Sequence, residues 1–241
     1  MSTPVPSIST TQLLIALLPA VTALALLFYW RAQANRALYA TVRMLVQLFL
    51  IGYILIALFE SDRYSAILAV LIIMLASASW IAVQPLAERD SQVLFAAFIA
   101  IAVGGVSTLV LVTQGVLEVQ PWFAPRYVLP LGGMIFASAM NAVSLAAERL
   151  ESEREKGLGI MESRRVAFQA SMIPMINSFL AVGLVTLPGM MTGQVLSGVS
   201  PLVAAQYQIV VMSMLFGASG VASAIYLTMR ARQLTPTTTA L

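Results

Sequence analysis

The sequence predicts an all-α integral membrane protein, a polytopic helix bundle. Three observations carry that class. Hydrophobic types make up 60% and charged types 10% of the 241 residues, where soluble domains run near ~45–50% and ~25%; a soluble fold so poor in charge could not cover its own surface. The apolar residues come in runs of about 20, the length a helix needs to cross ~30 Å of hydrocarbon. The basic residues cluster in alternate connections between those runs, as the positive-inside rule requires of a multi-pass chain.

The first run, 11–30, has no basic residue before it and exceeds a signal-peptide core in length, so it reads as an anchor. The second, 37–59, is apolar apart from Arg43. Runs 64–84, 92–114 and 128–147 hold no charged side chain. None occurs between Val166 and Met229 either, a stretch too long for one crossing and punctuated by Pro188, Gly189, Gly193, Gly198 and Pro201. It divides into 167–187 and 202–228 around an uncharged connector that suits a re-entrant segment shielded by protein. The count is about seven spans, with six as the rival. The whole chain, 1–241, reads as one transmembrane domain, with polar and mobile ends at Met1–Thr10 and Gln233–Leu241.

With the N-terminus outside, Arg31, Arg36, Arg89, Arg149, Arg154, Lys156, Arg164, Arg165, Arg230 and Arg232 lie inside, against only Arg63 and Arg126 outside. That partition gives N-out, C-in. It also accounts for the basic sequence pI of about 9.5 without nucleic acid.

The chain has no Cys and no His. Thiolate nucleophiles, Cys/His zinc sites and Ser-His pairs are thereby excluded. Gly217-Ala218-Ser219-Gly220 looks like the serine motif of intramembrane proteases but lacks their histidine base. The paired acids Glu60 and Asp62, and Glu88 and Asp90, read as solvated loop residues. The 13 Met residues, among them Met172, Met175, Met190 and Met191, read as apolar filler or as soft-metal thioethers. No metal site is expected.

Several polar features remain. Segment 148–166 is cytoplasmic in this topology, and Glu148–Arg165 holds ten of the 23 charged residues. Glu148–Lys156 reads as a polar helix continuing the fifth span, broken by Gly157 and Gly159. Arg149, Glu151, Glu153, Arg154, Glu155 and Lys156 are either a solvated topology anchor or a docking element for a cytoplasmic partner. In the second span Arg43 and Gln47 share a helix face with Arg36 and Tyr39. Arg43 lies ~9 Å in, shallow enough to snorkel yet placed like a cavity residue. Pro174 is expected to kink the sixth span beside Asn177 and Ser178, with Asn141 and Ser144 offering matching groups from the fifth. Such groups are either interhelical glue or a path lining. Gln194 and Gln208 join them as path candidates. The small residues Gly217–Ala224 and the pair Gly189 and Gly193 are close-packing faces, within the chain or between two copies. No Walker-type phosphate loop is present; the only lysine, Lys156, precedes Gly157.

Three strings point further: RALYATVRMLVQLFLIGYIL (Arg36–Leu55), MNAVSLAAERLESE (Met140–Glu153) and the stretch from Met172 to Met212 with its PGMMTGQ core. Together they resemble the permease family of iron-export ABC transporters, which includes plant aluminium-tolerance permeases. The resemblance implies a permease subunit in the bacterial inner (plasma) membrane, acting as a homodimer with a separate ATPase on the cytoplasmic side. ATP and Mg would bind to that partner, and this chain would bind no cofactor and catalyse nothing itself. Glu148–Arg165 would then seat in the ATPase, although the importer-type Glu-Ala-Ala coupling signature is not present in clean form. Arg43, Gln47, Asn141, Asn177, Gln194 and Gln208 would line the translocation path. Pro188, Gly189, Met190, Met191 and Gly193 would form an outer gate. The family suggests export of iron or another metal, yet the spans offer no acid, His or Cys to a bare ion. The alternative reading is an ATP-independent secondary carrier or channel for a small solute; an intramembrane enzyme and a pathless scaffold are further rivals.

Overall fold

Long apolar runs with few helix breakers form helices because lipid leaves each backbone N–H and C=O no partner outside its own segment. The computed structural model describes residues 8–59 and 63–234. Glu60 and Asp62, expected as solvated acids, and most of the two polar ends lie outside those residues. The chain divides into two units, Met1–Ser61 and Asp62–Leu241.

In the first unit, α1 (Thr10–Ala16) and α2 (Leu18–Tyr29) together fill the expected first span. Ser9 and Gln12 form a capping box at its start. Neither helix has a buried residue, as suits an all-round apolar helix in lipid. α3 (Ala34–Phe59) follows and packs on α2.

The second unit holds α4 (Tyr64–Ala82), α5 (Ser91–Val110, extended by a π-helical turn at Leu111–Val116), α6 (Pro125–Glu155), α7 (Ile160–Ala181), α8 (Gly189–Leu196) and α9 (Pro201–Leu234). Asp90, expected as a solvated acid, is the N-cap of α5 and accepts from the Val93 N–H at 2.7 Å. The polar run Glu148–Glu155 does continue the fifth span, within one 31-residue helix.

α6 and α9 run in parallel. Ser138 and Ser219 share a hydroxyl hydrogen bond of 2.8 Å midway. Arg126 and Val203 line one cavity at their starts, and Glu151 and Arg230 another at their ends. α7 runs antiparallel to α9: Glu162 sits level with Thr228, the Met172 methyl with Gly220, and Phe179 with Phe216, whose ring centroids are 5.0 Å apart.

Among the described residues six helical stretches are long and apolar enough to cross a membrane. α7, the counterpart of the expected sixth span, falls outside that set. Its first turns carry Glu162, Arg164 and Arg165, and Arg165 holds Glu162 in a 2.6 Å ion pair. That hydrogen-bonded pairing keeps the exposed Glu162 carboxyl below its usual range. Pro174 does not interrupt α7; the break comes at Val182–Pro188. There the N–H groups of Leu184, Val185 and Thr186 all turn back to the Ala181 carbonyl, with Gly183 at φ +80°. The connector thus satisfies much of its backbone locally while leaving Leu184 and Leu187 exposed.

The core of this unit is built from small residues. Ala96, Ala97, Ala100, Ala139, Ala146, Ala218, Ser219, Ala222 and Ser223 are all buried. A Cβ added at Gly104 of α5 would stand 2.9 Å from the Ala222 backbone nitrogen and 3.1 Å from the Ala218 carbonyl oxygen. The small-residue face at 218–223 therefore packs largely within the chain, against α5 and α6.

Candidate functional site

Charged residues gather at one end of the second unit. Glu88 from the α4–α5 connection, Glu151, Arg154 and Glu155 from α6, and Arg230 from α9 line a cavity of about 350 Å³ floored by Tyr226 and Leu150. Glu153, 6% exposed, accepts from Arg149 at 2.8 Å and from Lys156 at 3.0 Å. Of the six predicted coupling residues, Arg149, Glu153 and Lys156 therefore staple the helix end together, while Glu151, Arg154 and Glu155 face the cavity. Glu88 and Arg230 belong to this cluster although sequence reasoning did not place them there. The only signal was their assignment to the same side of the membrane as Glu148–Arg165.

The opposite end holds the uncharged hairpin. α8 packs on α9, and two cavities flank the pair. The first, about 400 Å³, lies between the end of α7, the connector and α9, and is lined by Phe179, Pro188, Met191, Gln208 and Met212 among others. Gln208 is 6% exposed and its Oε1 has no hydrogen-bond partner. The second, about 640 Å³, lies between the start of α6, α8 and α9 and includes Arg126, Met190 and Gln194. The Gln194 Oε1 is likewise buried without a partner.

Gln194 and Gln208 thus sit in cavities of the same hairpin. Asn177 is exposed and borders a third cavity, of about 390 Å³, with Ser178 and Thr186. Asn141 is exposed on α6, and the α6–α7 polar contact is made instead by Ser138, which donates to the Met175 sulfur at 3.6 Å. Arg43, half-buried, and Gln47, exposed, lie on α3 in the first unit. Of the gate candidates, Pro188 and Met191 line the first cavity and Met190 the second. A Cβ at Gly189 or Gly193 would meet nothing within 4 Å, so both faces are open. Among the described residues no group of three or more His, Cys, Asp or Glu is placed to hold a metal ion.

This is a polytopic, all-α membrane protein with a charged end and a cavity-bearing apolar hairpin. The chain belongs to the family described as Uncharacterised protein family (UPF0014), whose model matches residues 10–164 and 157–235. It is 39% identical over 195 residues to "UPF0014 membrane protein slr1647" of Synechocystis, covering 74% of each chain. It is 34% identical over 211 residues to the "Probable iron export permease protein FetB" of Escherichia coli, covering 80% of each. The "Protein ALUMINUM SENSITIVE 3" of Arabidopsis thaliana is 32% identical over 201 residues, 77% of this chain and 72% of the relative. No solved structure matches.

Proposed function

We propose that the chain is the membrane-embedded permease subunit of an ABC transporter that exports a metal, driven by a separate ATPase subunit. The observation that carries this is the 34% identity, over 80% of both chains, to a protein named as a probable iron export permease. The geometry supports it. Placing the N-terminus outside puts the charged end in the cytoplasm of a bacterial inner membrane, where an ATPase would meet it.

α6 and α9 then act as levers. At 1.5 Å per residue they are ~46 and ~51 Å long, and each reaches from the charged cavity to the hairpin cavities. Closure of two ATPase subunits would move the Glu151–Glu155 surface. The two continuous helices would carry that motion to Gln194, Gln208 and the connector, in a pair of permease copies. The two hairpin cavities offer a metal only amide, hydroxyl and thioether groups, since the Arg126 guanidinium has no lone pair to give. Iron favours carboxylate, imidazole or thiolate ligands, so the metal would travel as a complex rather than a bare ion.

Charge reversal at the exposed Arg154 and Glu155 (Arg154→Glu with Glu155→Lys) tests the reading. We expect the variant to insert normally and to lose copurification with a coexpressed ABC ATPase of the same organism. Full retention of the ATPase, with unchanged ATP-driven metal uptake into inverted vesicles, would remove the coupling role.

A further inference from the structure

We propose that the cavity between the end of α7, the connector, α8 and α9 binds an uncharged, largely apolar molecule that carries a hydroxyl, of the phenol type. At about 400 Å³ it has the volume of a small-molecule site. Its walls are mostly apolar, with Phe179, Leu187, Met191 and Met212 among them, and no ionisable side chain lines it. An ion would shed its water there and meet no countercharge. A neutral ring meets favourable surfaces instead. Thioethers and a phenyl face pack well on aromatic groups, and Phe179 is held against Phe216 with ring centroids 5.0 Å apart.

Two polar groups in these walls point to a ligand. Gln208 is 6% exposed, and its Oε1 is buried without a hydrogen-bond partner. Burying an amide oxygen unpaired is costly, and the cavity beside it is where a partner can stand. Ser213, ~7.5 Å further along α9 at 1.5 Å per residue, lines the same cavity. Hydroxyls on helices commonly close back on their own helix, as those of Ser178 and Thr228 do onto the carbonyls of Pro174 and Ala224. The Ser213 hydroxyl makes no hydrogen bond among the described residues. A ligand hydroxyl donates and accepts at once, so it satisfies either end of the Gln208 amide, and its ring then lies against the thioether walls. The inference goes beyond the transport reading, since binding here needs neither an ATPase nor a metal.

The test uses the full chain alone in phosphatidylcholine nanodiscs, with empty discs as blank. The probes are 2-naphthol, its methyl ether 2-methoxynaphthalene, and the charged 2-naphthoate, followed by their fluorescence. Saturable binding of naphthol above the blank is expected, with the ether weaker by about 5-fold, the worth of one hydrogen bond between neutral groups, and naphthoate weaker still. Gln208→Leu should weaken naphthol by about the same factor and spare the ether. Ala205→Phe, which adds a ring to the cavity wall, should weaken both neutral probes. Each variant is first shown to melt no lower than the parent; where Ala205→Phe does, Gln208→Leu and the ether decide. Equal binding of naphthol and ether, a Gln208→Leu titration matching the parent, unaltered binding in a stable Ala205→Phe, naphthoate as tight as naphthol, or no saturable binding above empty discs overturns the proposal. Full ATPase retention by the Arg154/Glu155 variant, which removes the coupling role, would leave it standing.

Discussion

The sharpest structural prediction concerns Gly104, where α5 crosses α9. An alanine there would place its methyl 2.9 Å from the Ala222 nitrogen, 3.1 Å from the Ala218 carbonyl oxygen and 3.1 Å from the Ala222 Cβ. Ordinary contact begins near 3.4 Å, so relief requires a shift of roughly half an ångström between helices packed like an organic crystal. Two of the three obstacles are backbone atoms, which no rotamer change can move aside. Overpacking of this kind costs ~1–3 kcal/mol, which in a chain of this size corresponds to a fall of roughly 2–12 °C in melting temperature. The assay is thermal unfolding of Gly104→Ala in detergent beside Gly193→Ala, whose Cβ would meet nothing within 4 Å. Ala222→Gly in the Gly104→Ala background should restore only part of the loss, since the backbone clash persists. A Gly104→Ala melt matching the parent, or a Gly193→Ala loss as large, would refute the packing described for α5 and α9.

Two further substitutions probe the polar groups. Glu153→Gln keeps the shape but removes the charge that Arg149 and Lys156 share; both cations are about half exposed, so water screens them and the expected loss is ~1–2 kcal/mol, read as an earlier denaturation midpoint. Gln208→Leu removes a buried oxygen that has no partner, so stability should rise by ~1–3 kcal/mol while metal flux falls, the pattern of a polar group retained for function; a lower melting temperature would show instead that the amide holds the fold together.

The polar helix at Glu148–Glu155 was legible in the sequence because each of its signals is local: charge, helix propensity, and the Gly157 stop. So was the Arg149–Glu153 pair, one turn apart. The membership of Glu88 and Arg230 in the same charged cavity was not. They lie 63 positions before and 79 after Glu151, and only the packing of α6 between the α4–α5 connection and α9 brings them together. The small-residue stretch Gly217–Ala224 announced a close contact without naming its partner. Gly104 and Gly105 sat in an apolar run where nothing marked them as the other half.

The sequence by itself determined the class of this protein and the extent of most of its helices. Hydropathy and backbone hydrogen bonding act within one segment, and lipid permits only helices where the apolar runs occur. It also carried the clustering of ten of the 23 charged residues into Glu148–Arg165, which is a property of one segment. The tertiary structure decided what those elements enclose. The three-way contact of α5, α6 and α9 through residues with almost no side chain, the two cavities beside α8, and the placement of Arg126 with Gln194 and Tyr207 all depend on which helix faces which. That choice is made by shape complementarity between distant segments, since lipid is as apolar as the helices themselves and gives no further drive to sort them.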